Sequence, residues 1–402
     1  MTVSRSVGYN EISEKRKTVA HGLDFRAAQK GKGMPPIHIL VKPASGLCNM
    51  RCTYCFYADE MSKREQSSYG IMSIETLEQV IKKTLAFAEE ECTIAYQGGE
   101  PTLAGLDFFR QSIRFQEQYN CNRVKISNAI QTNGLCLDEE WCRFLAEHHF
   151  LVGLSVDGVK ATHDVYRKDA AGQDTYFRVL EAAKRMDRFH VDYNILTVIN
   201  SKTAPKIRKI YEQFAKQGFG YQQYIACLDP LGEEQGQQEY SLTPEAYGRF
   251  LIDLFELWEL DLRKGKQPYI RQFDNWIGIL MGLLPEACDQ RGVCGIQNVV
   301  EADGSVYPCD FYVLDEYRMG NLMDDDMEQI YRNREALGFR EQSRNHPESC
   351  RACKYLQVCR GGCRRHRESE DHLNLFCKSY QMFFDTHYET MKQIADAFRR
   401  RR

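Results

Sequence analysis

The chain has 402 residues, a net charge of −3 and a hydrophobic content of 43%. It exceeds the size of about 250–300 residues at which a single hydrophobic core stops growing, so we expect one large domain and a smaller one. The near-neutral charge does not indicate nucleic-acid binding, and the lack of an apolar run of about 18 residues argues against a membrane-spanning helix.

Sixteen cysteines are many for a chain of this length, and they are clustered along the sequence. No signal-peptide-like apolar run occurs before residue 34. We therefore predict a cytoplasmic protein whose cysteines bind metal or act in catalysis instead of forming disulfides. Residues 1–33 are polar and are predicted to form a flexible N-terminal arm.

From residue 37 to about 230, short β-like runs alternate with helical patterns that have one apolar face. Six successive βα units favour a parallel sheet in a partial (β/α)6 barrel, because parallel strands need helical crossovers. The predicted strands are 37–41, 93–96, 124–130, 151–155, 192–198 and 221–226, and the predicted helices are 77–88, 106–118, 138–147, 174–188 and 204–217.

The loop at 48–55, with the sequence CNMRCTYC, directly follows the first predicted strand. Its cysteines, Cys48, Cys52 and Cys55, are spaced to bind three irons of a four-iron cluster, which leaves the fourth iron open to a small molecule. A structural zinc site usually has four protein ligands and paired Cys-x2-Cys knuckles, so a zinc or disulfide loop is the weaker alternative.

Polar and glycine-rich segments follow four of the predicted strands and are expected at the same edge of the barrel as the cysteine loop. Each alone is typical of a βα turn, but together they favour a cofactor site. The segments are Gln97-Gly98-Gly99-Glu100-Pro101, Gln131-Thr132-Asn133-Gly134, Ser155-Val156-Asp157-Gly158 and Cys227-Leu228-Asp229-Pro230. Asp157 and Asp229 are interpreted as turn residues and not as catalytic acids.

Residues 243–284 are predicted to form a long helical stretch whose aromatic-rich face packs against the barrel. After residue 285, eight cysteines occur within 90 residues, enough for two fully ligated four-iron clusters or for two zinc knuckles. These are Cys288, Cys294, Cys309, Cys350, Cys353, Cys359, Cys363 and Cys377. The remaining cysteines are interpreted for the most part as small buried residues, namely Cys92, Cys121, Cys136, Cys142 and Cys227.

The cysteine loop followed by Gly98-Gly99-Glu100-Pro101 resembles the radical S-adenosylmethionine (SAM) superfamily. The resemblance implies that the open iron binds the amino and carboxylate groups of SAM. It also favours clusters over zinc near the C-terminus, because a radical enzyme needs electron carriers. The implied SAM contacts are Tyr54, Gly99, Ser155, Arg167 and Leu228.

The cysteine-rich region resembles the SPASM domain of peptide-modifying radical SAM enzymes, which carries two auxiliary [4Fe-4S] clusters. The resemblance implies interlocked ligand sets, with Cys288, Cys294, Cys309 and Cys363 on the nearer cluster and Cys350, Cys353, Cys359 and Cys377 on the outer one. The implied organisation is a barrel at 34–240, a helical connector at 241–284, a SPASM domain at 285–385, and a C-terminal helix with a basic tail at 386–402.

Four segments narrow the likeness to the anaerobic sulfatase-maturating enzymes: 41–45, 96–105, 227–231 and 304–315. The likeness implies that a cysteine or serine of a sulfatase polypeptide is oxidised to Cα-formylglycine. In such a reaction a 5′-deoxyadenosyl radical takes a hydrogen atom from Cβ, and a flavodoxin or ferredoxin is the expected electron donor. Asp310 is the implied catalytic base, and Tyr57 and Gln97 are candidate substrate contacts.

Two other functions remain open at this stage. The same two domains would serve a radical SAM enzyme that forms a thioether or carbon crosslink in a ribosomal peptide, because fold does not dictate reaction. A non-enzymatic iron–sulfur electron carrier is the second alternative, but it does not explain the three-cysteine loop with its open iron.

Overall fold

The computed structural model describes residues 36–266 and 268–400. The predicted arm at 1–33 lies outside the described residues, as do Arg401 and Arg402 of the predicted basic tail. The strands are β1 (Ile37–Val41), β2 (Glu91–Tyr96), β3 (Lys125–Thr132), β4 (Leu151–Ser155), β5 (Tyr193–Ile199), β6 (Tyr221–Ala226), β7 (Tyr269–Ile270), β8 (Asn298–Val300), β9 (Ser305–Tyr307) and β10 (Gly320–Asn321).

The helices lie between and after these strands. The first seven are α1 (Phe56–Ser62), α2 (Ile74–Phe87), α3 (Leu106–Tyr119), α4 (Glu139–Glu147), α5 (Lys160–Tyr166), α6 (Tyr176–Phe189) and α7 (Ile207–Gln217). The others are α8 (Pro244–Arg263), α9 (Arg271–Leu280), α10 (Met327–Leu337), α11 (Phe339–Gln342), α12 (Glu348–Arg351), α13 (Leu356–Cys359) and α14 (Cys377–Arg400).

Strands β1 to β6 lie side by side in chain order and are parallel throughout. Alternate residues of β2, including Ile94 and Tyr96, are fully buried, as the apolar pattern of the strand predicts. The predicted parallel α/β sheet is confirmed. Because all six strands point the same way, their carboxyl ends meet at one edge of the sheet, and the cysteine loop follows β1 at that edge.

The sheet extends on both sides beyond the six predicted strands. On one side β7 pairs in parallel with β6, and on the other β8 pairs in parallel with β1, matching Val300 with Val41. Strands β9 and β10 then continue antiparallel. The cysteine-rich region therefore shares a sheet with the barrel, and Cys309 and Asp310 follow β9 close to the strand that leads into the cysteine loop.

The predicted single helical stretch at 243–284 is wrong in one respect, since it consists of α8 and α9 with β7 between them. Helix α8 ends before Gly265, whose φ of +77° is in the left-handed region that favours glycine. Pro268 follows, where a helix cannot continue, and its carbonyl accepts a hydrogen bond of 3.0 Å from Trp258 Nε1.

The aromatic face of α8 was predicted to pack against the barrel. It packs mainly against α9 and α14, and of its aromatic rings Phe250 reaches a barrel strand, with its ring centroid 5.6 Å from that of Tyr224 on β6. The Phe255 ring is fully buried, with centroids 5.1 Å from Phe273 on α9 and 5.4 Å from Phe383 on α14. The residues of α8 that form this face are Tyr247, Phe250, Leu251, Leu254, Phe255 and Trp258. No helix within 36–266 or 268–400 is long and apolar enough to cross a bilayer.

We expect Phe255→Ala to lower the free energy of unfolding by about 3–5 kcal/mol, because it removes a buried ring and leaves a cavity. Urea denaturation followed by circular dichroism measures this change. Phe177→Ala is the control, since that ring is 63% exposed and its loss should have little effect. Equal destabilisation by the two variants would contradict the proposed packing.

Candidate active site

The cysteine loop is held against the segment that follows α5. Arg51 N donates to Lys168 O at 2.8 Å, and Thr53 N donates to Tyr166 O at 3.0 Å. The thiols of Cys48, Cys52 and Cys55 lie close enough to influence one another. Burial raises the pKa of Cys48 to about 11 and that of Cys52 to about 12. A bound metal ion would favour the ionised, ligating form of these thiols.

The segment after β2 approaches the cysteine loop so closely that it needs a glycine. Gly99 has a φ of +51°, and a Cβ there would lie 2.2 Å from Leu47 O. Glu100, the next residue, connects the end of β2 to the end of β3 by hydrogen bonds. The buried Glu100 carboxylate accepts hydrogen bonds from Thr102 Oγ1 at 2.6 Å, Thr132 Oγ1 at 2.8 Å and Asn133 N at 2.8 Å.

The segment after β3 also reaches the loop. Asn133 Nδ2 donates to Asn49 Oδ1 at 2.7 Å and lies 3.8 Å from Cys48 Sγ. Asn49 Nδ2 in turn donates to Cys136 Sγ at 3.3 Å. Among the cysteines interpreted as buried apolar residues, Cys92, Cys142 and Cys227 are buried, whereas Cys136 is half-buried and Cys121 is exposed.

The segment after β4 contributes Asp157, whose role is larger than that of a turn residue. Its fully buried carboxylate accepts a hydrogen bond from Tyr54 OH and forms an ion pair of 3.0 Å with Arg167 Nε. Arg167 Nη1 lies 4.0 Å from Cys52 Sγ. Tyr54 and Arg167, which are far apart in sequence, therefore meet beside the cysteine loop.

The remaining implied SAM contacts lie at the same edge of the sheet. Ser155 is the last residue of β4, and Leu228 comes two residues after β6. Asp229 accepts hydrogen bonds from Ser241 Oγ at 2.8 Å and Gly236 N at 2.6 Å, so its carboxylate connects distant parts of the loop between β6 and α8.

Asp310 is brought to the same edge by the loop after β9. Tyr57 OH donates to Asp310 Oδ2 at 2.6 Å, and Gln97 Nε2 donates to that oxygen at 2.9 Å and to Tyr57 OH at 2.7 Å. Asp310 Oδ1 is buried and has no hydrogen-bond partner among the described residues. Burial raises the pKa of Asp310, while the nearby Lys42 ammonium opposes that rise.

A buried charged cluster lies beside Asp310. Glu301 Oε2 is 2.7 Å from Arg64 Nη1 and 3.8 Å from Lys42 Nζ. Glu60 is the third acid, and burial raises its pKa to about 8, with Lys42 opposing the shift and Asp310 adding to it. Two cations thus face three carboxyl groups, and at neutral pH Glu60 is mostly protonated. No sequence motif predicts this cluster, because its members are far apart in the chain and meet only through the pairing of β1 with β8.

Glu60 gives a prediction about pH. Its folded-state pKa of about 8 exceeds the ordinary value of 4.5, so the folded chain binds a proton more tightly than the unfolded chain. The stability contributed by this group is therefore full below the unfolded pKa and is lost as pH rises towards 8. We expect Glu60→Gln to flatten the decrease in the free energy of unfolding between pH 5 and 8, measured by urea denaturation. The exposed Glu65 is the control position, and equal flattening by Glu65→Gln would contradict this origin.

The C-terminal cysteines form two groups. In the first group, burial raises the pKa of Cys309 and the nearby thiols of Cys288, Cys294 and Cys363 add to the rise. In the second, burial raises the pKa of Cys359 and the nearby thiols of Cys350, Cys353 and Cys377 add to the rise. All sixteen cysteines are free thiols. Within the described ranges, no three His, Cys, Asp or Glu side chains surround a single-ion site. A four-iron cluster does not require one, since each cysteine binds a different iron.

Comparisons with known proteins agree with this geometry. The profile of the radical SAM superfamily matches residues 43–214, and that of an iron–sulfur cluster-binding domain matches residues 293–354. The chain is 44% identical to the cysteine-type anaerobic sulfatase-maturating enzyme of Clostridium perfringens, over 90% of this chain and 99% of that protein. The chain belongs to the anaerobic sulfatase-maturating enzymes. It is thus a radical SAM enzyme with an iron–sulfur cluster-binding region.

Two further comparisons define the place of this radical SAM enzyme within its family. It is 29% identical to a serine-type enzyme of Bacteroides thetaiotaomicron, over 87% of this chain and 89% of that protein. A solved structure described as native anSMEcpe with bound AdoMet and a Cp18Cys peptide superposes with a TM-score of 0.86. That match has 44% sequence identity and covers 90% of this chain and all of the other.

Proposed function

We propose that this radical SAM enzyme oxidises a cysteine side chain of a sulfatase to Cα-formylglycine. The greater identity to a cysteine-type relative (44%) than to a serine-type relative (29%) supports cysteine as the preferred target. The free thiols throughout the chain are compatible with the reducing, anaerobic cytoplasm in which we expect the enzyme to work.

The three groups of thiols fit three [4Fe-4S] clusters. Cys48, Cys52 and Cys55 would hold the cluster that binds SAM, and two sets of four cysteines would hold the auxiliary clusters. The nearer set is Cys288, Cys294, Cys309 and Cys363, and the outer set is Cys350, Cys353, Cys359 and Cys377. When bound, SAM and the clusters supply the one-electron chemistry, with hydrogen-atom removal from the substrate Cβ and acceptance of the second electron. Tyr54, Gly99, Ser155, Arg167 and Leu228 would contact SAM.

The proposal rests mainly on the hydrogen bonds of the Asp310 carboxylate, which leave one of its two oxygens without a partner among the described residues. Tyr57 and Gln97 both donate to Oδ2, while Oδ1 has no partner among the described residues. An unpaired buried acceptor costs free energy unless something pairs with it, so Oδ1 is suited to the thiol of an arriving substrate cysteine. Asp310 would then take the thiol proton as general base.

The roles of the neighbours follow from the same contacts. Tyr57 and Gln97 fix the carboxylate so that Oδ1 alone faces the substrate, and their hydrogen bonds favour the charged, proton-accepting form. Loss of two electrons and two protons from the thiol side chain gives a thioaldehyde, which water converts to the aldehyde with release of hydrogen sulfide. An electron donor such as a flavodoxin or ferredoxin would provide the electron that starts each turnover.

The test is an anaerobic assay of the reconstituted enzyme with sulfatase-derived peptides that differ only in a Cys, Ser or Ala at the target position. We expect an aldehyde product from the Cys peptide, a smaller yield from the Ser peptide and none from the Ala peptide, measured by mass spectrometry. Production of 5′-deoxyadenosine with a crosslinked peptide and no aldehyde would instead support a peptide-crosslinking enzyme.

A further inference from the structure

Asp157 is the meeting point of three separate parts of the chain. Its Oδ1 accepts a hydrogen bond of 2.9 Å from Val198 N of β5, and its Oδ2 is shared by Tyr54 OH and Arg167 Nε. Each carboxylate oxygen is therefore engaged, and the side chain is fully buried. A buried carboxylate with this set of donors is satisfied and fixed in orientation.

A chain of hydrogen bonds connects Asp157 to Arg167 by a second route. Asp157 N donates to His163 Nδ1 at 3.1 Å, and His163 Nε2 lies 3.0 Å from Thr175 Oγ1. Thr175 Oγ1 donates to Arg167 O at 2.8 Å. Because His163 Nδ1 accepts, Nε2 carries the proton and donates to Thr175. Burial lowers the pKa of His163 to about 4, which keeps the imidazole in this neutral, one-donor form.

Arg167 is thus held at both ends. Asp157 pairs with the Arg167 guanidinium. At the other end, the Thr175 hydroxyl, which is oriented by His163, donates a hydrogen bond to the Arg167 backbone carbonyl. The guanidinium lies 5.5 Å from the centre of the Tyr54 ring and beside Cys52. A long arginine side chain loses considerable rotamer freedom when it is ordered, and here contacts within the protein itself restrict that freedom.

We propose that Asp157 and His163 are positioning residues of the SAM site, which hold Tyr54 and Arg167 in the orientation that receives SAM at the cysteine loop. The proposal rests on the SAM contacts given under the proposed function. It assigns to Asp157 a role in cofactor affinity that neither residue type nor position in the sequence indicated.

The test compares three variants of the anaerobically reconstituted enzyme. Asp157→Asn keeps the shape of the side chain and removes its charge, and His163→Phe keeps a ring and removes both hydrogen bonds. Asp164→Asn is the matched control, because that carboxylate is also buried and lies next to His163 on α5. It accepts hydrogen bonds from Thr175 N and Tyr176 N at 3.0 Å and, among the described residues, forms no hydrogen bond or ion pair with the side chain of Tyr54 or Arg167. The dissociation constant of SAM is measured by equilibrium dialysis, and the effect of SAM on the reduced loop cluster by electron paramagnetic resonance.

We expect Asp157→Asn to weaken SAM binding by about 10- to 100-fold, as loss of an outer partner does at metal sites. His163→Phe should weaken it less, and Asp164→Asn should leave it within about twofold of the parent. Unchanged SAM affinity in Asp157→Asn, or an equal loss in Asp164→Asn, would overturn the proposal. If Asp157→Asn does not fold, the SAM affinities of His163→Phe and Asp164→Asn are compared instead. Unchanged affinity in His163→Phe, or an equal loss in both variants, would then overturn the proposal. The proposed function is tested separately by formylglycine formation in the parent enzyme, whereas this proposal depends only on how tightly the variants bind SAM.

Discussion

Asp310→Asn is expected to reduce formylglycine formation by about 10²- to 10⁴-fold, the contribution typical of a general base. The amide keeps the shape of the carboxylate and leaves an oxygen able to accept from Tyr57 and Gln97, but it cannot take the substrate proton. SAM affinity and iron content should stay at parental values. The rate is measured by mass spectrometry of a sulfatase-derived Cys peptide under anaerobic conditions.

Asp315→Asn is the matched control for this variant. Asp315 lies five residues further along and accepts a hydrogen bond of 2.8 Å from Glu65 N, outside the group formed by Tyr57, Gln97 and Asp310. It should retain nearly parental activity. Formylglycine formation at the parental rate by Asp310→Asn would show that another group is the base.

Removal of one thiol from the cysteine loop is expected to abolish activity. Cys52→Ala leaves the loop two ligands for a cluster that needs three, so the iron content should decrease from about twelve to about eight atoms per chain. Without that cluster, SAM should not be cleaved, and 5′-deoxyadenosine should be undetectable by liquid chromatography. The auxiliary clusters should persist, because their eight ligands are elsewhere.

Cys142→Ala separates loss of a ligand from loss of a cysteine. Cys142 is fully buried on α4 and belongs to none of the three groups of thiols. This variant should keep about twelve irons and full SAM cleavage. An iron content of about twelve in Cys52→Ala as well would contradict the assignment of the loop as a cluster site.

The edge of the sheet where the site lies was predictable because periodicity identifies strands and parallel strands end together. The loops that contain Gly99, Asn133 and Asp157 were predicted to meet the cysteine loop, and their contacts confirm it. The partnership of Asp157 with Arg167 was not predictable. A buried ion pair depends on the exact path of the chain after α5, and an aspartate after a strand is most often a turn residue.

The extension of the sheet by β7 to β10 could not be predicted from the sequence. These strands have two or three residues each, too few to show an alternating pattern. They nevertheless determine the site, since β8 and β9 carry Asp310 to Tyr57 and Gln97. The buried group of Lys42, Glu60 and Glu301 depends on the same pairing of β1 with β8.

The most direct test of the proposed reaction uses a sulfatase-derived peptide whose target cysteine carries two deuterium atoms on Cβ. The account predicts that each formylglycine formed is matched by one 5′-deoxyadenosine that has gained a single deuterium, detected by mass spectrometry. Formylglycine produced together with unlabelled 5′-deoxyadenosine would contradict hydrogen-atom removal from Cβ, and with it the central claim.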